Sequence, residues 1–243
     1  MWRHRPVTTS AAAAGVVVAL ALGGCTAAAE PADSKVSPTE PAATVTLLEP
    51  RPEYEAVGPG TYVMKPIGAN ADYKPRAVIE VTSDAFSQNG VFLTAGGETT
   101  FRGVGLWTIA EVAVEPCSDN TRFVYPGPTV ADLADAFAMQ PLTNASSPVQ
   151  VSLDGYDGLY MEISVPTDLD LNDCFNSQFA TYRADDGGLR WHQGPGQVDR
   201  LWILDVEGNR LVFDTSYMPD TSPEEIAELT QIAESITFTT PAS

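Results

Sequence analysis

The chain has 243 residues, of which 44% are apolar, with 32 acidic and 13 basic side chains and a formal charge of −19. Such an excess of carboxylates repels phosphate backbones and anionic headgroups, which argues against nucleic-acid binding and against a polybasic hold on membranes. Three cysteines and two histidines are few ligands for a metal centre built on sulfur and imidazole.

The chain opens with Arg3, His4 and Arg5, followed by an apolar run over residues 11–22 that closes in Leu22-Gly23-Gly24-Cys25. A basic start, a short apolar stretch and small residues at its end are the layout of an export signal, and the run falls short of the ~20 residues that span a bilayer. Leu22-Gly23-Gly24-Cys25 resembles the lipobox of bacterial lipoproteins. The resemblance implies cleavage after Gly24, lipidation of Cys25, and a mature chain on the outer face of the cytoplasmic membrane. An ordinary secretory signal with a chance cysteine is the plainer alternative. Residues 1–24 carry Arg3 and Arg5 and no acid, so their removal takes the charge to −21. Attachment would then rest on acyl chains and not on charge. With Cys25 lipidated, Cys117 and Cys174 are the remaining pair. In an oxidising compartment a disulfide is expected, worth ~4 kcal/mol for so long a loop in the chain-entropy picture. Two free thiols or a metal site are the alternatives, and His192 is the one histidine beyond the signal to serve such a site.

Residues 25–57 are rich in Ala, Pro, Glu, Ser and Thr, with Pro31, Pro38, Pro41, Pro50 and Pro52 spread through them. This composition reads as a solvated tether, with Leu47 and Leu48 as apolar residues able to pack back on a domain. Residues 58–239 have the pattern of one globular domain, and 240–243 form a tail. Strands are expected over 61–65, 77–82, 91–95, 106–114, 149–153, 159–165, 179–182, 200–206 and 211–215. In 159–165 apolar and polar residues alternate, whereas Leu201-Trp202-Ile203-Leu204 is apolar on both faces and reads as a central strand. Asp186-Gly187-Gly188 and Glu207-Gly208-Asn209 supply hairpin turns. One helix follows Thr129, with Asp132 three residues on and Val130, Leu133, Ala134 and Phe137 on one face. A second follows Ser222, with Pro223 first, Glu225 completing a capping box, and Ile226, Leu229, Ala233 and Ile236 at helical spacing. The expected fold is α+β, a single domain of largely antiparallel sheet flanked by two main helices.

The stretch from Leu201 through Thr215, the turn, Thr221-Ser222-Pro223-Glu224-Glu225-Ile226 and the closing Ser235-Ile236-Thr237-Phe238 resembles the end of PsbP-like domains, the group that includes mycobacterial LpqN-type lipoproteins. That resemblance implies an antiparallel sheet with flanking helices and supplies no catalytic residues to carry over. The chain is also similar to uncharacterised actinobacterial lipoproteins through residues 127–133 (GPTVADL) and 199–206 (DRLWILDV). This implies export and anchoring without naming an activity.

Motifs for catalysis are missing. There is no Gly-x-Ser-x-Gly elbow and no complete penicillin-binding set. A Ser-His-Asp site would need His192, which reads more simply as a strand-end histidine. Paired carboxylates of the glycosidase kind cannot be picked out of 32 acids by spacing. Asp168, Asp170 and Asn172 alternate as hard oxygen ligands do, so weak Ca²⁺ binding is one expectation. Asp173 stands where the tight turn of an EF-hand loop wants Gly, and Phe179 where the bidentate Glu belongs; a solvated loop leading to Cys174 is the simpler reading. No other cofactor is expected. Trp107, Trp191, Trp202, Tyr160 and Tyr182 are candidates to line a ligand cleft, with Trp202 read as core. Arg190, Trp191 and His192, beside Gly194-Pro195-Gly196, form the candidate binding segment. The expected function is a membrane-anchored, non-enzymatic module that binds an envelope protein or cell-wall ligand. A carboxylate-dependent envelope hydrolase and a carrier of a small apolar or sugar ligand are the alternatives.

Overall fold

The computed structural model describes residues 44–49, 54–70, 73–118 and 122–240. The expected export signal, Cys25 and residues 241–243 lie outside them. The fold is organised on a large antiparallel sheet whose middle is the hairpin Val198–Val206 (β15) and Asn209–Tyr217 (β16), paired from Val198↔Tyr217 to Val206↔Asn209. Its turn holds Glu207 and Gly208 at φ +53° and +78°, a left-handed pair that glycine makes cheap. On one side β15 pairs with Tyr156–Ser164 (β12), which is flanked by Val149–Leu153 (β11) and Asn144–Ala145 (β10). On the other side β16 pairs with Arg102–Trp107 (β7), followed by Phe92–Ala95 (β6), Phe86–Asn89 (β5) and Glu55–Val57 (β2).

Each face of this sheet is covered, which is why β15 and β16 are apolar on both sides. Against one face lie the strands Gly60–Met64 (β3) and Arg76–Val81 (β4) and the helix Pro223–Glu234 (α2). Met64, Ile79, Leu229 and Ile232 pack there on Leu106, Trp202, Leu204, Leu211 and Phe213. Val45–Leu47 (β1) joins β3 in the one parallel pairing between named strands, and Thr237–Thr239 (β17) closes on β4. Against the other face lie the helix Val130–Ala138 (α1) and a small sheet of Ile109–Ala113 (β8), Phe123–Val124 (β9), Ala180–Ala184 (β13) and Leu189–Trp191 (β14). Leu133, Phe137 and Tyr182 pack there on Met161, Leu201, Ile203 and Val212.

Both helices begin where the capping residues place them. Thr129 accepts from the Asp132 N–H while its own N–H donates to Asp132; Ser222 and Glu225 do the same, with Pro223 in the first turn. Cys117 and Cys174 are disulfide-bonded across a sequence separation of 57, with Cα atoms 4.6 Å apart. The bond anchors a third, small cluster around Val165 and Phe179.

Two expectations need correction. The tether does not extend to Val57: β1 and β2 belong to sheets, and Leu48 and Val57 are buried in the core. Proline content suggested a solvated segment, but short edge strands tolerate such neighbours. Residues 106–114 are not one strand either. At Thr108 the chain leaves the large sheet for the small one, held by Thr108 N–H donating to Ile67 O (2.9 Å) and Asp185 N–H donating to Thr108 O (3.2 Å). Both halves are apolar because both are covered, so no break shows in the pattern.

Candidate functional site

Strands β6 and β7 and their connecting turn on one side, with β14 on the other, enclose a cleft of about 510 Å³. Its aromatic floor depends on two missing side chains. Gly103 and Gly105 sit on β7, and Cβ atoms there would lie 2.5 and 2.6 Å from the Phe92 ring. With hydrogen in those positions, Phe92 lies down over the strand. Its ring centroid is 6.1 Å from that of Trp107, which meets Tyr182 edge-on at 5.4 Å. Trp107 is buried, whereas Trp191 on β14 is 37% exposed and stands at the rim. Thr94, Glu98 and Gln193 add polar groups to the lining.

Arg190 also lines the cleft, although it is only 4% exposed. Its guanidinium lies 5.5 Å from the Phe92 centroid, a cation–π contact. Two fully buried carboxylates hold it: Nη2 donates to Asp199 Oδ1 (2.9 Å) and Nε to Asp214 Oδ2 (3.2 Å), while Nη1 donates to the Trp191 carbonyl (2.6 Å). The register produces this pairing. Asp199 lies opposite Ser216 and Leu201 opposite Asp214, so both acids project from the same face of the hairpin toward β14. Gln197 extends the network, donating from Nε2 to Asp199 Oδ1 (2.8 Å) and accepting at Oε1 from the Gln193 N–H (2.6 Å).

Two ionised carboxylates around one guanidinium would leave an excess negative charge in the interior, and the titration of the group responds. Burial, then the charge of Asp199, push Asp214 up to about 8, against the pull of Arg190. His192 is lowered to about 4, chiefly by burial and secondarily by Arg190, with Asp199 opposing. It is therefore neutral near pH 7. His192 Nε2 sits 3.0 Å from Thr181 Oγ1, and Nδ1 is 3.8 Å from Asp199 Oδ2, beyond hydrogen-bond range. Thr181, His192 and Asp199 thus stand in the order of a nucleophile, base and orienting acid. All three are buried, and neither Thr181 nor His192 lines the cleft. Their geometry supports packing of the strand end, with His192 edge-on to Phe179 at 5.6 Å.

The sequence-derived segment is therefore divided. Arg190 and Trp191 face the cleft, while His192 lies behind it. Of the five aromatic residues singled out, Trp107 and Trp191 line the cleft. Tyr182 is core beneath it, and Tyr160 and Trp202 meet at a tilt, centroids 5.0 Å apart, on the opposite sheet face. Phe92, Asp199 and Asp214 were not anticipated. The signal for Phe92 was the pair Gly103 and Gly105 inside an otherwise apolar strand, which marks a close approach. Asp168, Asp170 and Asn172 lie on exposed loop. Asp170 Oδ1 accepts from both the backbone and side-chain N–H groups of Asn172 (2.9 Å each), capping a short 3₁₀ turn. Among the described residues no group of three His, Cys, Asp or Glu side chains is arranged to hold a metal, and no helix is long and apolar enough to cross a membrane. Comparison with protein-family models and with curated proteins finds no match for this chain.

Proposed function

We propose that the chain is an exported lipoprotein, anchored through Cys25 at the outer face of the cytoplasmic membrane, whose domain binds a saccharide-bearing envelope ligand without transforming it. The observation that carries this reading is the cleft of Phe92, Trp107 and Trp191 around Arg190. Flat aromatic faces receive the apolar faces of sugar rings, and a few polar groups, here Thr94, Glu98 and Gln193, set their orientation. The acids nearest the floor, Asp199 and Asp214, are fully buried and bound to Arg190, so they shape the cleft and do not reach a substrate.

The test is a titration of the protein with soluble cell-wall fragments, read by tryptophan emission and thermal unfolding. A ligand at about 100 times its dissociation constant adds ~2.7 kcal/mol of stability. Trp191→Ala should abolish both signals while leaving the unliganded midpoint unchanged. Binding undisturbed by Trp191→Ala, or no response to any envelope saccharide, would remove the cleft from consideration. The anchor is tested separately: Cys25→Ala should move the protein from membranes to the soluble fraction, and absence of labelled acyl chain on the wild type counts against lipidation.

A further inference from the structure

On the small sheet, the groove between α1 and β8–β9 is apolar and open. One cavity of about 630 Å³ is lined by Val112, Val124, Met139 and Pro141, and a second of about 460 Å³ adjoins it through Val114 and Pro141 and ends at Leu142. Met139, Leu142 and Val124 are 76%, 50% and 41% exposed, an arrangement a solitary domain has no reason to favour. Two further observations say what fits there. Gln140 lines the first cavity and is buried; its Nε2 donates to the carbonyls of Ala113 (2.9 Å) and Thr181 (2.7 Å), which fixes the amide, yet Oε1 has no donor. Such a buried oxygen gains from an incoming N–H. The residues lining the two cavities include carboxylates and no Lys or Arg: Asp132 is engaged in capping α1, whereas the exposed Asp135 carboxylate makes no hydrogen bond or ion pair among the described residues.

We propose that this groove docks a segment of a partner protein that inserts a bulky apolar side chain between Val124 and Met139 and places a flanking Lys or Arg against Asp135. The continuation past Pro141 to Leu142 suits an extended polypeptide, which would run along both cavities, better than a compact ligand filling one. Opposite charge on the partner sets orientation and speeds encounter, while the apolar insertion supplies the hold.

The probe is a phage-displayed library of short random peptides panned against the protein, with recovered sequences measured by fluorescence anisotropy. Recovered peptides should combine a large apolar residue with a neighbouring Lys or Arg. Met139→Asp and Asp135→Lys, both at exposed positions and so compatible with folding, should each weaken them about tenfold. Glu234→Lys, an equal charge change at the end of α2, should leave binding unaltered. Recovery of acidic or neutral sequences, equal affinity for Met139→Asp, or no binder at all overturns the proposal. Occupation of the groove by dodecyltrimethylammonium in the absence of any peptide preference also overturns it, and reassigns the groove to a cationic amphiphile.

Discussion

The buried cluster beneath the cleft makes a demanding prediction about pH. Asp214 has its carboxyl pushed up to about 8, so between the unfolded carboxylate value and about 8 the native state holds a proton that the unfolded chain releases. Stability therefore falls as pH rises through that window. His192 acts in the opposite sense. Its buried ring refuses a proton until about pH 4, whereas the unfolded ring takes one near 6.5, so stability rises with pH between these values. In the wild type the two slopes oppose each other up to about pH 6.5, and only the Asp214 slope remains above it. One proton corresponds to ~1.4 kcal/mol per pH unit, which gives a loss of about 2 kcal/mol between pH 6.5 and 8. Asp214→Asn replaces the protonated carboxyl with a neutral group of the same shape and should remove that loss. Urea unfolding followed by tryptophan emission, in buffers from about pH 4 to about 9, measures the difference directly, with the other titrating groups common to both proteins. The variant should rise from pH 4 to 6.5 and then hold level, while His192→Gln should decline from pH 4 up to about pH 8. Parallel wild-type and Asp214→Asn curves between pH 6.5 and 8 would refute the charge balance assigned to the cluster.

Other consequences follow from single contacts. Arg190→Met strands Asp199 and its neighbour without a cation and should cost about 3–5 kcal/mol in chemical denaturation, more than any substitution of an exposed arginine. Gly105→Ala places a Cβ 2.6 Å from Phe92, so the ring must lift; about 1–3 kcal/mol of stability and the cleft's ligand response should be lost together. Ser222→Ala removes the acceptor for the Glu225 N–H at the start of α2 and should cost about 1 kcal/mol by urea unfolding. Mass spectrometry without reductant should show Cys117 linked to Cys174, and replacing both with Ser should cost about 2–5 kcal/mol.

The sequence was most informative where a local rule decides the outcome. Thr129 with Asp132 and Ser222 with Glu225 each satisfy two otherwise unpaired N–H groups at a helix start, and Pro223 has none to satisfy, so both helices start where these residues stand. Likewise Leu201-Trp202-Ile203-Leu204 identifies a strand covered on both faces, which is what β15 is. Edge elements were hidden for the converse reason. β1 and β14 have three residues each, too few for alternation to register, and what holds them is a partner strand remote in sequence or across a turn.

The floor of the cleft was illegible for a deeper reason. Asp199 and Asp214 look like two of many surface acids until the hairpin register turns both toward one face, and Arg190 reaches them only because β14 is laid across that face by β13. A buried arginine between two acids is costly to assemble and adds little stability over an apolar core of the same volume. An exclusively apolar core would nonetheless leave the guanidinium without its fixed position over Phe92 and against the Trp191 carbonyl. The cluster spans β14, β15 and β16, and its cation is the group that reaches the cleft. Its cost falls on folding and its benefit on the geometry of the rim at Trp191, so Arg190→Met, which removes the pull that holds Asp214 down, should widen the pH window over which stability falls and lose the response to ligand, whereas Trp191→Ala should lose the ligand response alone.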